Sequence, residues 1–345
     1  MDFSPRTGFV SLIADIERLI VDEDKAVVLV LFDGLGVQFL DERAPLLASH
    51  LETTLQAPFP STTTVSLATA VTGLEPASHG VIGHLLHWPE VGRVINMLKF
   101  VDLTGAPVSI DNEGVLPSPN LWERLSAARA GAVTVQPADF AGTPLTRTLY
   151  RGCRFVGAHS VDEFVERTVE EASRPRTLIF TYLPPVDYAA HVFGPQSTQV
   201  ADALSWVSNV WEGIARQLPN GVVLFGTADH GIMPIGPEGK LLIREERYRP
   251  LEFWGDPRVV MVRGSMRLTR ELAAQTGARL LELSEFRSWL GNGVPHRQLE
   301  SRLPDAALLA APGTVILPWG FDKRLFGYHG GIDPIEVDIP LLTRR

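Results

Sequence analysis

Three apolar runs limit the folds that this chain can adopt. Residues 26–32 read Ala-Val-Val-Leu-Val-Leu-Phe, and similar runs occupy residues 177–183 and 222–226. Continuous β-branched runs without polar alternation are typical of strands that are covered on both faces of a parallel sheet. Because the carboxyl ends of parallel strands lie along one edge of the sheet, residues that follow these runs can meet there.

Helical patterns alternate with these strands. A helix is predicted from Asn120 to about Arg129, followed by a short strand at residues 132–135. After Ser197, apolar residues recur at intervals of three and four, which indicates an amphipathic helix packed on the sheet. These residues are Val200, Leu204, Val207, Trp211, Ile214 and Leu218. The alternation predicts an α/β fold with a mostly parallel central sheet and helices on both faces.

The pattern changes after residue 230. We expect residues 1–230 and 326–345 to form the α/β core, with residues 231–325 inserted partly as a continuation of the sheet and partly as a cap. Residues 85–116 are expected to form a smaller insertion. Within the large insertion, strands are predicted at residues 259–262 and 307–310, with helices around residues 270–276 and 283–290.

Composition excludes several classes of protein. The net charge of −9 argues against nonspecific binding to nucleic-acid duplexes or anionic lipid. The single cysteine, Cys153, cannot form an internal disulfide. The longest apolar run, residues 26–32, is too short to span a bilayer, so we expect a cytoplasmic protein without a membrane segment. The sequence leaves the oligomeric state open.

Acidic and histidine residues follow the predicted strands in short motifs. These candidate metal ligands are Asp33, Asp187, His191, Asp229, His230 and His329. Asp187 and His191 lie four residues apart, so on one helical turn they project to the same side. Asp229 and His230 are adjacent, and Gly231 allows the turn that two contacts with one ion require. Mixed carboxylate and imidazole ligands suit zinc, and manganese also accepts them.

Each motif alone also has an ordinary structural interpretation. Asp33 can be a turn or helix-capping aspartate, and His329 can be a solvated loop histidine. The segment Pro60-Ser61-Thr62-Thr63-Thr64 can simply cap a helix, but a hydroxyl at a helix start is also a suitable nucleophile for a phosphoryl group. The combination of the motifs favours a metal-assisted hydrolase.

In this order the motifs resemble the alkaline phosphatase superfamily, and within it the branch of nucleotide pyrophosphatases and type I phosphodiesterases. The similarity covers about residues 26–231 and the His329 motif. It includes the Pro-Ser-x-Thr segment, Asp-x-x-x-His followed by Gly194-Pro195, Asp-His-Gly, and the late His-Gly.

The resemblance implies two divalent metal ions, most simply Zn²⁺, and a phosphothreonine intermediate on Thr63. One ion would be held by Asp187, His191 and His329. The other would be held by Asp33, Asp229, His230 and the Thr63 oxygen. The physical logic of two-metal sites agrees, since one ion activates the nucleophile and the other stabilises the leaving oxygen.

The chain departs from this pattern just after the nucleophile. Phosphodiesterases of the family usually carry Phe-Pro-Asn there, whereas this chain has Thr64-Val65-Ser66. Ser66 is therefore a candidate substrate contact, and His84, in a glycine-rich turn, is another. Thr62 and Thr64 compete with Thr63 as the nucleophile.

The predicted function is a metal-dependent hydrolase of a small phosphate ester, of the phosphodiesterase or nucleotide pyrophosphatase type. A phosphonate hydrolase or phosphomonoesterase on the same scaffold is an alternative, and a metal-binding protein without turnover is another. A sulfatase is excluded because Cys153 lacks the Cys-x-Pro-x-Arg context.

Overall fold

The computed structural model describes residues 8–41, 43–111 and 114–344. Residues 1–7, at the start of the predicted core, and residues 112–113, inside the predicted smaller insertion, lie outside the described residues, as do Glu42 and Arg345. Within the described part of the chain, no helix has the length and apolar character needed to cross a bilayer.

Strands and helices alternate through most of the described residues. The strands are β1 Val27–Phe32, β2 Leu51–Gln56, β3 Leu85–Trp88, β4 Arg93–Asn96, β5 Val101–Asp102, β6 Gly131–Pro137, β7 Arg154–Ala158, β8 Thr177–Leu183, β9 Val223–Ala228, β10 Met233–Pro234, β11 Lys240–Leu242, β12 Glu252–Asp256, β13 Val259–Arg263, β14 Arg279–Glu282, β15 Ala306–Leu309, β16 Val315–Leu317, β17 Gly327–Tyr328 and β18 Asp338–Thr343. The helices are α1 Gly8–Val21, α2 Pro45–Ala48, α3 Thr63–Thr72, α4 Pro76–His79, α5 Leu121–Ala127, α6 Pro144–Leu149, α7 Val161–Ala172, α8 Pro185–Phe193, α9 Thr198–Gln217, α10 Met266–Thr276, α11 Leu283–Trp289, α12 Leu299–Arg302 and α13 Pro334–Val337.

The central sheet contains seven strands in the order β2-β18-β9-β1-β8-β6-β7. Strands β9, β1, β8, β6 and β7 run parallel, whereas β18 is antiparallel to both β9 and β2. The three apolar runs form β1, β8 and β9 at the middle of the sheet, and every residue of β1 and β8 is buried. The predicted α/β fold with a mostly parallel sheet is therefore confirmed.

Helices cover both faces of this sheet. Leu29 pairs with Phe180, so their side chains share one face, whereas Phe32 lies three residues further along β1 and points to the other. The Phe180 ring contacts Trp122 of α5, and the Phe32 ring contacts Trp211 of α9. The amphipathic helix predicted after Ser197 is α9, and its stripe packs on the Phe32 face.

The expectation that residues 231–325 partly continue the central sheet is wrong. Strands β12, β13, β14 and β15 form a second seven-stranded sheet with β3, β4 and β5, in the order β14-β15-β13-β12-β3-β4-β5. The position beside β9 is taken by β18, where Leu341 pairs with Thr227, so the inserted strands have no free edge there. The two predicted insertions thus meet in one sheet, joined by the pairing of Gly255 with Leu85. The division of the chain into domains remains a proposal.

One helix boundary also differs from the prediction. Helix α5 ends at Ala127, two residues before the predicted end at about Arg129, and β6 begins at Gly131. Asn120 caps α5 through a reciprocal pair of bonds with Glu123, as a capping box requires. The chain then turns at Arg129, which adopts a left-handed backbone with φ of 58°.

Candidate active site

The candidate ligands lie at the carboxyl edge of the central sheet. Phe32 is level with both Leu183 and Ala228 across the three middle strands, so the segments that follow emerge side by side. The main-chain N–H of Asp187 donates to Asp33 O at 3.1 Å, and the N–H of Gly34 donates to Asp229 Oδ1 at 2.9 Å. Gly34 has φ of 74° and approaches Asp187 so closely that a Cβ would lie 2.9 Å from its Cα. A side chain at this position would separate the two segments.

Two groups of ligand atoms are compact enough to hold a metal ion, because the atoms within each group all lie within 4.8 Å of one another. The first contains Asp33, Asp229 and His230, as the resemblance implied for one ion. The second contains Asp187, His230 and His329, so His230 belongs to both. His191 Nε2 lies 3.2 Å from Asp187 Oδ1, at the side of the second group. The structure thus brings all six candidate ligands together around the stacked rings of His230 and His329, whose centroids are 3.7 Å apart.

Three buried carboxylate oxygens among these residues accept no hydrogen bond from the described residues. They are Asp33 Oδ1, Asp187 Oδ1 and Asp229 Oδ2. A buried anionic oxygen without a partner is costly, and a bound cation would offset that cost. The donor set therefore fits divalent metal ions.

The pKa directions follow from crowding three carboxylates in a buried site. Burial raises the pKa of Asp33 well above its usual range, and repulsion from Asp229 raises it further. Burial also raises the pKa of Asp229. At Asp187 burial acts in the same direction, but attraction to His191 and His329 outweighs it and lowers the pKa.

The three candidate histidine ligands share one hydrogen-bond arrangement. Their Nδ1 atoms lie beside main-chain oxygens: 2.7 Å from Gly327 O for His191, 3.1 Å from Gly231 O for His230, and 3.1 Å from Ser61 O for His329. Because a carbonyl only accepts, each Nδ1 must carry the proton and donate it. Each Nε2 is then left as a lone pair, which is the form of imidazole that binds a metal.

Thr63 is the first residue of α3, and its hydroxyl lies inside this cluster. Thr63 Oγ1 donates to His230 Nε2 at 3.0 Å. The neighbouring hydroxyls have other buried partners, since Thr62 Oγ1 donates to Asp256 Oδ1 at 2.9 Å and Thr64 Oγ1 donates to Gly83 O at 3.0 Å. Of the three threonines, Thr63 is the one with a hydroxyl bonded to a candidate ligand.

The segment before Thr63 is attached to the His329 loop. Ser61 Oγ donates to Gly331 O at 2.8 Å and accepts from the N–H of Gly330 at 3.2 Å. Ser61 and Gly330 also form an antiparallel bridge. A Cβ on Gly330 would lie 2.8 Å from Asp256 Cβ, so glycine is required for this approach. These bonds hold the candidate nucleophile and the last candidate ligand in one unit.

The two candidate substrate contacts have different surroundings. Ser66 is fully buried, and its hydroxyl donates to Asp229 O at 2.7 Å, so it supports the main chain of a candidate ligand. His84 lies near the start of α3, because the preceding Gly83 accepts from Thr64 Oγ1 at 3.0 Å and the His84 N–H donates to Asp256, which also accepts from Thr62. Burial lowers the pKa of His84 to about 4. The side chain of His84 is bonded to Asn96, whose Nδ2 lies 3.1 Å from His84 Nε2.

Sequence reasoning missed three residues that support the site. The Tyr182 hydroxyl donates to Asp33 Oδ2. Asp256, at the end of β12, accepts from Thr62 and from the N–H of His84 at 3.2 Å, and burial raises its pKa to about 7. Asn96 contacts His84 as described. Asp256 could have been found, because it follows the apolar residues Phe253 and Trp254, as Asp33 follows β1.

The fold and this edge of polar residues define an α/β protein with a cluster of candidate metal ligands at the carboxyl edge of a mostly parallel sheet. The chain belongs to the type I phosphodiesterase / nucleotide pyrophosphatase family, whose model matches residues 27–330. The resemblance inferred from the motifs is thereby confirmed.

Known proteins agree with this family. An uncharacterized pyrophosphatase/phosphodiesterase of Schizosaccharomyces pombe is 26% identical over 229 residues, which is 60% of this chain and 45% of the yeast protein. The chain therefore matches less than half the length of this curated relative. Human ectonucleotide pyrophosphatase/phosphodiesterase 5 is similar in structure, with a TM-score of 0.70, 18% identity, and coverage of 93% of this chain and 88% of the human one.

A second solved structure of similar fold is phosphonoacetate hydrolase from Sinorhizobium meliloti 1021, with a TM-score of 0.67 and 18% identity over 93% of this chain and 90% of that one. It was solved in complex with phosphonoformate. The murine ectonucleotide pyrophosphatase/phosphodiesterase 5 was solved as an inactive threonine-to-alanine variant in complex with AMP.

Proposed function

We propose that this chain is a metal-dependent hydrolase of small phosphate esters, of the phosphodiesterase or nucleotide pyrophosphatase type. The observation that carries the proposal is the Thr63 hydroxyl, 3.0 Å from His230 Nε2 in a cluster with three unpartnered carboxylate oxygens. A hydroxyl beside a metal-ligating set is the arrangement that two-metal phosphoryl transfer requires. The relatives that bind AMP and phosphonoformate support the same substrate chemistry.

Two ligand sets follow from this proposal. We name Asp187, His191 and His329 the first ligand set, and Asp33, Asp229, His230 and Thr63 the second ligand set. Divalent ions bound there would lower the pKa of the Thr63 hydroxyl and neutralise charge on the phosphoryl oxygens. Zinc is the proposed metal because the sets mix carboxylates with imidazoles. A cytoplasmic location also belongs to the proposal.

The reaction follows from the position of Thr63. Its Oγ1 attacks phosphorus, so an O–P bond forms to the protein while the bond from phosphorus to the leaving oxygen breaks. Because Thr63 is the first residue of α3, the developing negative charge lies at the positive end of a 10-residue helix. Water then attacks the same phosphorus and breaks its bond to Thr63 Oγ1, which releases the remaining phosphate monoester and restores the hydroxyl.

Two neighbouring side chains have distinct proposed roles. His84 lies near the start of α3, and it is the proposed donor to a phosphoryl oxygen, in place of the Asn that the family usually carries after its nucleophile. Ser66 is assigned to support of the Asp229 main chain, because its hydroxyl is already bonded there.

Metal-quantified protein and a substrate panel test the proposal. The panel contains bis- and mono-nitrophenyl phosphate, a nucleotide diester and a phosphonate, each with and without chelator. We expect the diesters to be turned over faster than the monoester and the phosphonate, and we expect chelator to abolish this turnover. Preference for the monoester or the phosphonate would instead support the alternatives on the same scaffold. Absence of turnover in metal-loaded protein would support a metal-binding protein and refute the proposal.

A further inference from the structure

We infer that Asn96 is a positioning residue that holds the His84 ring with its proton on Nδ1, so that a neutral N–H donor stands near Thr63 at the start of α3. The inference rests on the proposed function for the identity of the acceptor, which is an oxygen of the substrate phosphoryl group. The arrangement of hydrogen bonds around Asn96 carries it.

The orientation of the Asn96 amide is fixed by two main-chain donors. Its Oδ1 accepts from the N–H of Leu98 at 3.0 Å and from the N–H of Lys99 at 3.1 Å. Because a main-chain N–H can donate only to the amide oxygen, these two bonds distinguish the oxygen from the nitrogen. The Nδ2 group must therefore be the atom that faces His84 Nε2, at 3.1 Å.

This orientation determines the proton position on His84. An amide NH₂ group only donates, so His84 Nε2 must accept and cannot carry a proton. The neutral ring then carries its proton on Nδ1. Among the described residues, His84 Nδ1 has no hydrogen-bond partner. The donor is thus available to a ligand.

The second sheet also fixes where this donor lies. The main-chain N–H of His84 donates to Asp256 Oδ2 at the end of β12, while the ring is held by Asn96 at the end of β4. Gly83, the preceding residue, approaches Gly255 so closely that a Cβ would lie 3.1 Å from its Cα. Hydrogen bonds therefore fix both the main chain and the ring of His84.

The proton position matters for binding an anion. With the proton on Nδ1, the ring offers a donor to a phosphoryl oxygen, and a donor placed in advance needs no reorganisation during the reaction. With the proton on Nε2, the Nδ1 lone pair would face that oxygen and repel it. Asn96 would therefore affect binding and turnover without touching the substrate.

The direct test is ¹⁵N NMR of the histidine rings, because protonated and unprotonated ring nitrogens have well separated shifts. Loss of one ring signal in His84→Gln identifies the His84 resonances. In the unmodified protein we expect a protonated Nδ1 and a bare Nε2 on His84. Asn96→Asp keeps Oδ1 for Leu98 and Lys99 but places a carboxylate at Nε2, so the proton should move to Nε2. A protonated Nε2 on His84 of the unmodified protein would overturn the inference, whether or not the protein turns over substrate.

A double-mutant cycle tests the consequence for activity. Asn96→Asp should lower kcat/KM by about 10- to 100-fold, as is typical for a residue that orients a contact group, with metal content unchanged. In the His84→Gln background the same change should have no further effect, because the ring through which it acts is gone. Equal losses in both backgrounds would refute positioning through His84.

A matched control comes from the same group of strands. Asp102 caps the following turn by accepting from the N–H groups of Thr104 and Ala106, and it has no contact with His84. Asp102→Asn is the same exchange of amide and carboxylate in reverse, and it should leave kcat/KM and the His84 signals unchanged. If Asp102→Asn lowered kcat/KM as much as Asn96→Asp does, the effect would come from any change in these strands, and the inference would be overturned.

Discussion

Three consecutive threonines carry the same chemical group, and the structure gives each hydroxyl a different partner. Thr62 precedes α3 with an extended backbone, whereas Thr63 and Thr64 begin the helix, where successive side chains are about 100° apart, so the three hydroxyls face different points. Thr63 faces His230, Thr62 faces Asp256 and Thr64 faces Gly83. The difference arises from where α3 begins relative to the sheet edge.

Replacing the nucleophile tests this difference. Thr63→Ala should reduce kcat by on the order of 10³-fold or more, because no other hydroxyl can take its place. Metal content should stay near that of the unmodified protein, since the remaining carboxylates and imidazoles are intact. Thr64→Ser is the matched control and should retain most of the activity, because its hydroxyl is preserved. Activity in Thr63→Ala together with its loss in Thr62→Ala would show that the nucleophile is Thr62.

At the scale of elements, β12 of the second sheet reaches the start of α3. Asp256 accepts bonds from Thr62 and from the His84 main chain, although burial raises its pKa to about 7. An acid whose pKa is raised on folding stabilises the folded state below its unfolded pKa of about 3.9, and this contribution is lost as pH rises toward 7. The bond to Thr62 is therefore kept at a cost in stability near neutral pH.

Asp256→Asn should reveal this cost. The amide does not titrate, so the unfolding free energy of the unmodified protein should fall relative to the variant by roughly 2 kcal/mol between about pH 5 and pH 8. Urea unfolding of both metal-free proteins at the two pH values measures the difference. If the difference in unfolding free energy between the two proteins were the same at both pH values, the prediction would be contradicted.

A buried ion pair joins the turn after β12 to α13. Arg258 Nη2 donates to Glu336 Oε2 at 2.7 Å, both side chains are almost fully buried, and Glu336 Oε1 accepts from the N–H of Gly331 at 2.9 Å. The pair therefore supports the His329 loop from the side of the second sheet.

Breaking the pair should destabilise the protein strongly. Glu336→Gln should lower the unfolding free energy by about 3–5 kcal/mol, because it leaves the Arg258 charge buried without a counter-charge. The double variant Glu336→Gln, Arg258→Met should recover part of that loss, since no unpaired charge remains. Denaturant unfolding measures both, and a double variant less stable than Glu336→Gln would count against this explanation.

At the scale of the whole molecule, residues from both ends of the chain meet at one site. Asp33 follows β1, whereas His329 precedes the final strand of the central sheet. Metal ions that hold these segments together stabilise only the folded state. The stability of the whole protein should therefore depend on metal.

Chelation should lower Tm, since a ligand at 100 times its Kd contributes about 2.7 kcal/mol to the folded state. Zinc affinity should also fall as pH decreases. Burial lowers the pKa of His191, but attraction to Asp187 outweighs it and raises the pKa above its ordinary value of about 6.5. Protons therefore compete with metal already near neutral pH.

Calorimetry with and without chelator, and zinc titrations at about pH 6 and pH 8, measure these two effects. Asp187→Asn is the control, because loss of a carboxylate from the first ligand set should reduce the response to chelator. A Tm that chelator leaves unchanged, in protein shown to contain metal beforehand, would contradict the prediction.

Much of the fold could be predicted from local patterns. The runs 26–32 and 177–183 became fully buried middle strands, because burial on both faces favours an apolar residue at every position. The run 222–226 became β9, the third middle strand, which is partly buried at Val223 and Phe225. The insertions were harder to predict. The strands at residues 259–262 and 307–310 were expected, but the second sheet to which they belong was not. Strand pairing depends on which edges are free, and β18, from the end of the chain, occupies the edge beside β9.

By itself the sequence determined the three middle strands and the order of the candidate ligands after them, because both are local properties of the chain. Only the tertiary structure decided which threonine hydroxyl meets His230, that the two insertions share one sheet, and on which nitrogen His84 carries its proton. Each of these depends on hydrogen bonds between segments that are brought together by folding, and the partners in such bonds cannot be inferred from local periodicity.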